Sequence, residues 1–102
     1  MLSQLNLDGK NIVITGAGTG LGKQMALSIA KAGGNLMLAA RRMDRIMEVA
    51  DQAKDSGVKT LAYSADLTDT DQVVSLFKHA LDEFGHIDVL INNAGIVRGQ
   101  AS

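Results

Sequence analysis

Four short apolar runs, separated by three stretches of helical periodicity, leave this chain few architectures. Residues 11–15 (NIVIT), 35–40 (NLMLAA), 59–64 (KTLAYS) and 87–91 (IDVLI) read as strands. The first two are continuous in apolar character, as in strands covered on both faces, and do not alternate as a surface strand does. Between them, Gly20 to Ala32 spaces Leu21, Met25 and Ile29 four apart before a Gly33-Gly34 stop. Asp44 to Ser56 places Ile46, Val49, Ala50 and Ala53 on one helical face before Gly57. A third stretch steps by three and four through Val73, Leu76, Phe77, Ala80, Leu81 and Phe84 to Gly85, with Thr68 placed as its N-cap, three residues before Asp71. Strands so separated cannot be joined as hairpins, so they lie parallel with right-handed crossovers. The expectation is an α/β, Rossmann-like doubly wound parallel sheet of four strands and three helices. In the order 3-2-1-4 the first two helices cover one face and the third covers the other thinly, leaving the fourth strand an open apolar edge.

At 102 residues, with no internal repeat or Pro-rich linker, one domain spans residues 1–102, with 96–102 an irregular tail. A net charge of -1 provides no positive field to gather nucleic acid or an anionic membrane, so neither is expected as a partner. The absence of cysteine excludes disulfides, thiol nucleophiles and cysteine-ligated metals. No apolar run approaches the ~20 residues of a membrane span, and the N-terminus lacks a signal-peptide pattern. A cytoplasmic protein is expected.

The segment Thr15-Gly16-Ala17-Gly18-Thr19-Gly20-Leu21-Gly22 joins the first strand to the first helix, whose unsatisfied N–H groups point into the loop. An anion suits that position: glycines let the backbone approach a pyrophosphate and let helix and sheet pack closely. The general G-x-G-x-x-G pattern fails if begun at Gly16, because Leu21 takes the third glycine's place; T-G-x-x-x-G-x-G fits through Gly16, Gly20 and Gly22. The competing reading is a turn whose glycines serve only the backbone.

An acidic partner for an adenosine ribose diol belongs about 20 residues beyond such a loop. From Gly33 to Met43 there is none; the second strand ends Ala39-Ala40-Arg41-Arg42. Guanidinium groups suit a phosphate, so NADP is preferred over NAD, unless the two arginines are simply a solvated lead-in to the next helix. Asp44 is an acidic alternative at the helix start. Asp66 follows the third strand, at the sheet edge where ligands sit, and is either an acceptor for an adenine amino group or a turn residue beside Thr68. Of Asn92 and Asn93, one is expected to join neighbouring strands and the other to line the cofactor ribose.

Together, TGAGTGLG at 15–22, Ala-Arg-Arg at 40–42, Asp66-Leu67 and Asn92-Asn93-Ala94-Gly95 resemble the classical short-chain dehydrogenase/reductase family, in order and spacing over nearly the whole chain. The resemblance implies that Gly16, Gly18, Thr19, Gly20, Leu21 and Gly22 surround the pyrophosphate and adjoining ribose, with Arg41, and Arg42 beside it, at the 2′-phosphate. It implies that Asp66 and the Leu67 backbone hold adenine, and that Asn93, with Ala94 and Gly95, lines the ribose side. It also implies hydride transfer between a nicotinamide cofactor and an alcohol or carbonyl. The family's serine, tyrosine and lysine fall beyond NNAG, so no catalytic residue is assigned within these residues. Tyr63 has Leu67, not lysine, at the fourth following position and is read as strand packing; His79 and His86 are read as solvated, with no metal site. The expectation is therefore the dinucleotide-binding portion of an NADP(H)-preferring oxidoreductase, its fourth strand meeting either a missing C-terminal half or a second copy. The alternative is a catalytically silent dinucleotide-binding or protein-interaction module.

Overall fold

The computed structural model describes residues 6–18 and 20–93. In chain order these form β1 (Asn11–Thr15), α1 (Gly20–Lys31), β2 (Asn35–Ala40), α2 (Met43–Lys54), β3 (Thr60–Ser64), α3 (Thr70–Phe84) and β4 (Val89–Asn92). The four strands make one parallel sheet in the order β3-β2-β1-β4, the expected Rossmann-like arrangement. Register brings Val13 beside both Met37 and Leu90.

Strand side chains alternate between faces, so the central strands divide their residues between two cores. Ile12, Ile14, Leu36 and Leu38 pack against Ala26 and Ala30 of α1 and Ile46, Val49, Ala50 and Ala53 of α2. Val13, Met37 and Ala39 meet Leu76 and Ala80 of α3 on the other face. All five residues of β1 are buried, which accounts for its continuous apolar pattern. Each fully buried large aliphatic side chain contributes about 1.5–3 kcal/mol.

Three local expectations are corrected. The buried stripe of α1 is Gly22, Ala26 and Ala30, one position on from the Leu21, Met25, Ile29 line; Leu21 is 62% exposed. Small residues occupy the stripe because α1 lies too close to the sheet for larger ones, as the surroundings of Gly22 show below. On α3 only Leu76 and Ala80 are buried, while Leu81 is 48% exposed. The apolar stripe of α3 is wider than the sheet beneath it. The N-cap of α3 is Asp69, whose side chain accepts from the Asp71 N–H, whereas the Thr68 hydroxyl donates to Asp66.

At the opposite edge of the sheet from the strand C-termini, a chain of polar contacts ties the strands together. Buried Asn11 donates to the His86 carbonyl (3.1 Å) and accepts from Asn35 Nδ2 (3.1 Å); Asn35 in turn accepts from the Lys59 N–H (3.0 Å). Asp88 accepts from the Asn11 N–H (2.8 Å) and pairs with His86 Nε2 at 3.1 Å. His86 is solvated as expected, its side chain 64% exposed beside the Asp88 carboxylate, whereas His79 is half-buried with its ring 5.2 Å from that of Tyr63.

The Asn11 N–H, with His86 and Lys10 nearby, holds the Asp88 carboxyl below the usual carboxylate range. A depressed folded-state pKa contributes stability that is present above the unfolded value and lost as pH falls through the folded one. Stability is thus expected to decline below the ordinary carboxylate range, with Asp88→Asn losing part of that acid dependence in urea melts at pH 3 to 7. An unchanged acid slope in the variant would contradict this account.

Candidate functional site

Because all strands run parallel, β1, β2, β3 and β4 deliver their C-terminal residues to one edge of the sheet. The crossover from β1 passes to the β2 side, while β4 lies on β1's other flank, so the chain reverses direction of winding beside β1. Crevices of this kind hold ligands in open α/β sheets. The sequence positions singled out above arrive here together: Gly16 and Gly18 after β1, Arg41 and Arg42 after β2, Asp66 and Leu67 after β3, and Asn93 after β4. Thr19, Ala94, Gly95 and residues 96–102 lie outside the described residues.

The β1–α1 loop is held by its backbone. Gly16 N–H donates to the Ala39 carbonyl of β2 (2.8 Å), and the Gly16 carbonyl accepts from Asn93 Nδ2 (3.1 Å). Gly16 and Gly20 have φ of 69° and 58°, the left-handed region that glycine enters at no steric cost. A Cβ on Gly20 would meet no heavy atom within 4 Å, so the space on that side of the residue is open. A Cβ on Gly22 would lie 2.2 Å from the Gly16 carbonyl oxygen, 2.9 Å from Asn93 Nδ2 and 3.0 Å from Ala17 Cα. These glycines thus do different work: Gly16 and Gly20 shape the turn, and Gly22 lets α1 press on it. The first N–H groups of a 12-residue helix have no partner within the helix, and Gly20 and Leu21 are exposed there, an arrangement suited to a phosphate-bearing ligand.

The asparagines both join neighbours. Thr15 Oγ1 donates to Asn92 Oδ1 (2.9 Å), linking β1 to β4, while Asn93 fastens the glycine turn. Asp66 is a turn residue: its Oδ1 accepts from the Thr68 N–H (3.0 Å) and hydroxyl (2.6 Å), and its own N–H donates to Gln72 Oε1 (2.7 Å). Those two bonds from Thr68, helped by the Arg41 charge, hold its carboxyl below the usual range. Leu67 packs its side chain partly against the α3 core.

The two arginines diverge. Arg42 is held by Asp44 in a two-point contact, Nε to Oδ1 at 3.2 Å and Nη2 to Oδ2 at 3.0 Å, with both side chains about two-thirds exposed. Arg41 stands on the Asp66 side, its carbonyl accepting from Ser64 Oγ (3.0 Å). Arg45, not singled out from the sequence, lies with Cβ 3.1 Å from where a Gly18 Cβ would be, and together with Lys23 lines the cleft beside the loop. No spacing in the sequence signals it, because Arg45 reaches Gly18 only through where α2 begins its first turn. Among the described residues, no three His, Asp or Glu side chains are grouped as metal ligands, and no helix is long and apolar enough to cross a membrane.

Residues 10–102 match the family model described as short chain dehydrogenase, and the chain belongs to that family. It is 41% identical over 98 residues to 2-dehydro-3-deoxy-D-gluconate 5-dehydrogenase from Escherichia coli (strain K12), covering 96% of this chain and 38% of that protein. The solved 3-ketoacyl-(acyl-carrier-protein) reductase from Brucella melitensis, complexed with NADH, is 35% identical. It superposes with a TM-score of 0.77 over 83% of this chain and 34% of its own. The alcohol dehydrogenase from the archaeon Thermococcus sibiricus, complexed with 5-hydroxy-NADP, is 34% identical with a TM-score of 0.77, over 79% and 35%. The chain spans less than two-fifths of the length of these relatives.

Proposed function

We propose that this chain is the dinucleotide-binding portion of an NADP(H)-preferring short-chain dehydrogenase/reductase, acting on an alcohol or carbonyl substrate. The observation that carries the reading is the cradle at Gly16–Gly22: a left-handed Gly20 at the start of α1, with open space on its Cβ side, and the turn fastened to β2 and to Asn93 at the end of β4. A nicotinamide dinucleotide fits this cradle, and it supplies a hydride donor or acceptor when bound. The loop backbone from Gly16 through Gly18, Thr19 and Gly20 to Leu21 and Gly22 receives the pyrophosphate. Arg41 meets the 2′-phosphate, with Arg42 beside it at the same strand end, Asp66 and the Leu67 backbone meet adenine, and Asn93 with Ala94 and Gly95 borders the ribose.

Asp66 can serve adenine without leaving its turn, because Oδ1 is the oxygen bound by Thr68 and Oδ2 is the one an amino hydrogen would reach. Asn93 contributes by holding the Gly16 carbonyl, which orients the turn's N–H groups toward the ligand. Tyr63, half-buried against the α3 core, takes no part in proton transfer; a positioned acid with its pKa brought toward neutrality is supplied by other sequence of the protein. A cytoplasmic setting accords with this reading.

NADPH at millimolar concentration is expected to raise the melting temperature by several degrees, and NADH by less; binding stabilises in proportion to the logarithm of ligand concentration over Kd. A larger shift with NADH would contradict the preference, and no shift with either would contradict the site.

A second reading, self-association, is favoured by one observation: β4 is a sheet edge whose Val89 and Leu90 are 42% and 49% exposed. We assign this edge instead to further polypeptide of the same architecture, because the relatives are more than twice as long. Sedimentation that shows a stable dimer built through β4 would favour self-association.

A further inference from the structure

The cleft beside the glycine loop, about 530 Å³, is lined by Gly18, Gly20, Lys23, Asp44, Arg45 and Glu48, so cations and anions share it. Within that mixed field the Arg42–Asp44 contact has a specific chemical consequence. The guanidinium edge formed by Nε and Nη2 is one of the two-point donors a phosphate uses, and here Asp44 occupies it from both sides of its carboxylate. A ribose 2′-phosphate that turned to Arg42 would have to displace Asp44 or lie against its negative charge. A 2′-hydroxyl meets no such conflict, since it can donate to a carboxylate.

We propose that Asp44 is a specificity-determining residue which acts through Arg42, holding the guanidinium away from a 2′-phosphate and so narrowing the preference for 2′-phosphorylated nucleotides. The inference rests on the cofactor site proposed above. Three features of this region support it. Asp44 lies in the first turn of α2, where a helix start favours a negative charge, and its bonds with Arg42 hold its carboxyl below the usual carboxylate range. Arg42 is the N-cap residue of that helix, in extended backbone conformation, and since a guanidinium has no acceptor for the helix N–H groups, its donors turn to Asp44. Glu48, one turn further on, adds a second negative charge to the same cleft.

Two nucleotides without nicotinamide, 2′,5′-ADP and 5′-ADP, test this by isothermal titration at constant pH and ionic strength, independently of any turnover. In the unmodified protein 2′,5′-ADP is expected to bind more tightly. Asp44→Asn is expected to tighten 2′,5′-ADP by about fivefold, the scale of an exposed ion pair, with at most about a twofold change for 5′-ADP on the same scale. Asp44→Ser repeats the test with a smaller uncharged residue, and melting curves establish that each variant is folded. In an Arg42→Gln background the gain from Asp44→Asn is expected to vanish, the signature of a residue acting through its partner.

If the unmodified protein prefers 2′,5′-ADP and Asp44→Asn leaves that preference unchanged, the role of Asp44 is overturned while the cofactor reading stands. Equal tightening of both nucleotides, or a gain that persists without Arg42, also overturns it, since either reflects only a general change in charge. Failure of both the unmodified protein and the variant to distinguish the two nucleotides overturns the 2′-phosphate reading and this inference with it.

Discussion

Replacing Gly22 by valine is expected to cost more than about 3 kcal/mol, the upper range for overpacking a core, and so to remove a large part of the roughly 5–15 kcal/mol that holds a domain folded. The reason is positional. A Cβ there would stand 2.2 Å from the Gly16 carbonyl oxygen and 3.0 Å from Ala17 Cα, and backbone atoms cannot swing aside as the end of a flexible side chain can. Either α1 lifts from the sheet, unpacking Ala26 and Ala30, or the turn opens and loses the Asn93 bond to Gly16. Gly57→Ala is the comparison: φ there is 80° but nothing lies within 4 Å, so only about 1–2 kcal/mol of left-handed strain is expected. Urea unfolding midpoints measure both, and equal losses would contradict the close-approach account.

The second large effect concerns Arg41. With Arg42 committed to Asp44, Arg41 is the cation facing the end of β3, where the 2′-phosphate is proposed to lie beside the adenine pocket. Hydrogen bonds to a charged group are worth about 1.5–3 kcal/mol, so Arg41→Ala is expected to weaken NADPH binding by about tenfold or more. NADH is expected to change by less than about twofold on the same scale. Fluorescence titration of the reduced nucleotides measures both. Equal losses for the two cofactors would mean that Arg41 supports the fold or the general field and does not read the 2′ position.

These effects concern residues of different legibility. The sheet was readable because β1 and β2 are apolar without alternation, and the α2 stripe was readable because Ile46, Val49, Ala50 and Ala53 all pack where their spacing puts them. On α1 the same reasoning chose the larger residues, although the glycine loop had already implied a close helix-to-sheet approach that only Gly22, Ala26 and Ala30 permit. On α3, periodicity registered six apolar positions but carried no information about how much sheet lay beneath them. Thr68 and Asp69 are both good caps one residue apart, and composition alone does not choose between them. Asn11 is not legible in the sequence as a buried junction, because that role exists only once β2 and β4 stand on either side of it.

At the site, the loop glycines were found from their spacing, but the division of labour between Gly20 and Gly22 depends on φ and on through-space distances. The pairing of Arg42 with Asp44 and the return of Arg45 toward Gly18 depend on where α2 starts its first turn. Two asparagines in succession gave a strand end and a ribose neighbour as separate roles; in the fold both are engaged with β1 and its turn.

The claim beneath all of this is that the peptide N–H groups opening α1 receive a diphosphate. Amide chemical shifts followed during titration with 5′-ADP test it residue by residue. The account predicts that the largest changes fall on the Gly16–Gly22 segment, while those of Gly57 and Gly85 at remote turns stay put. A titration in which the loop amides remain still, or move no more than those remote glycines, would contradict it.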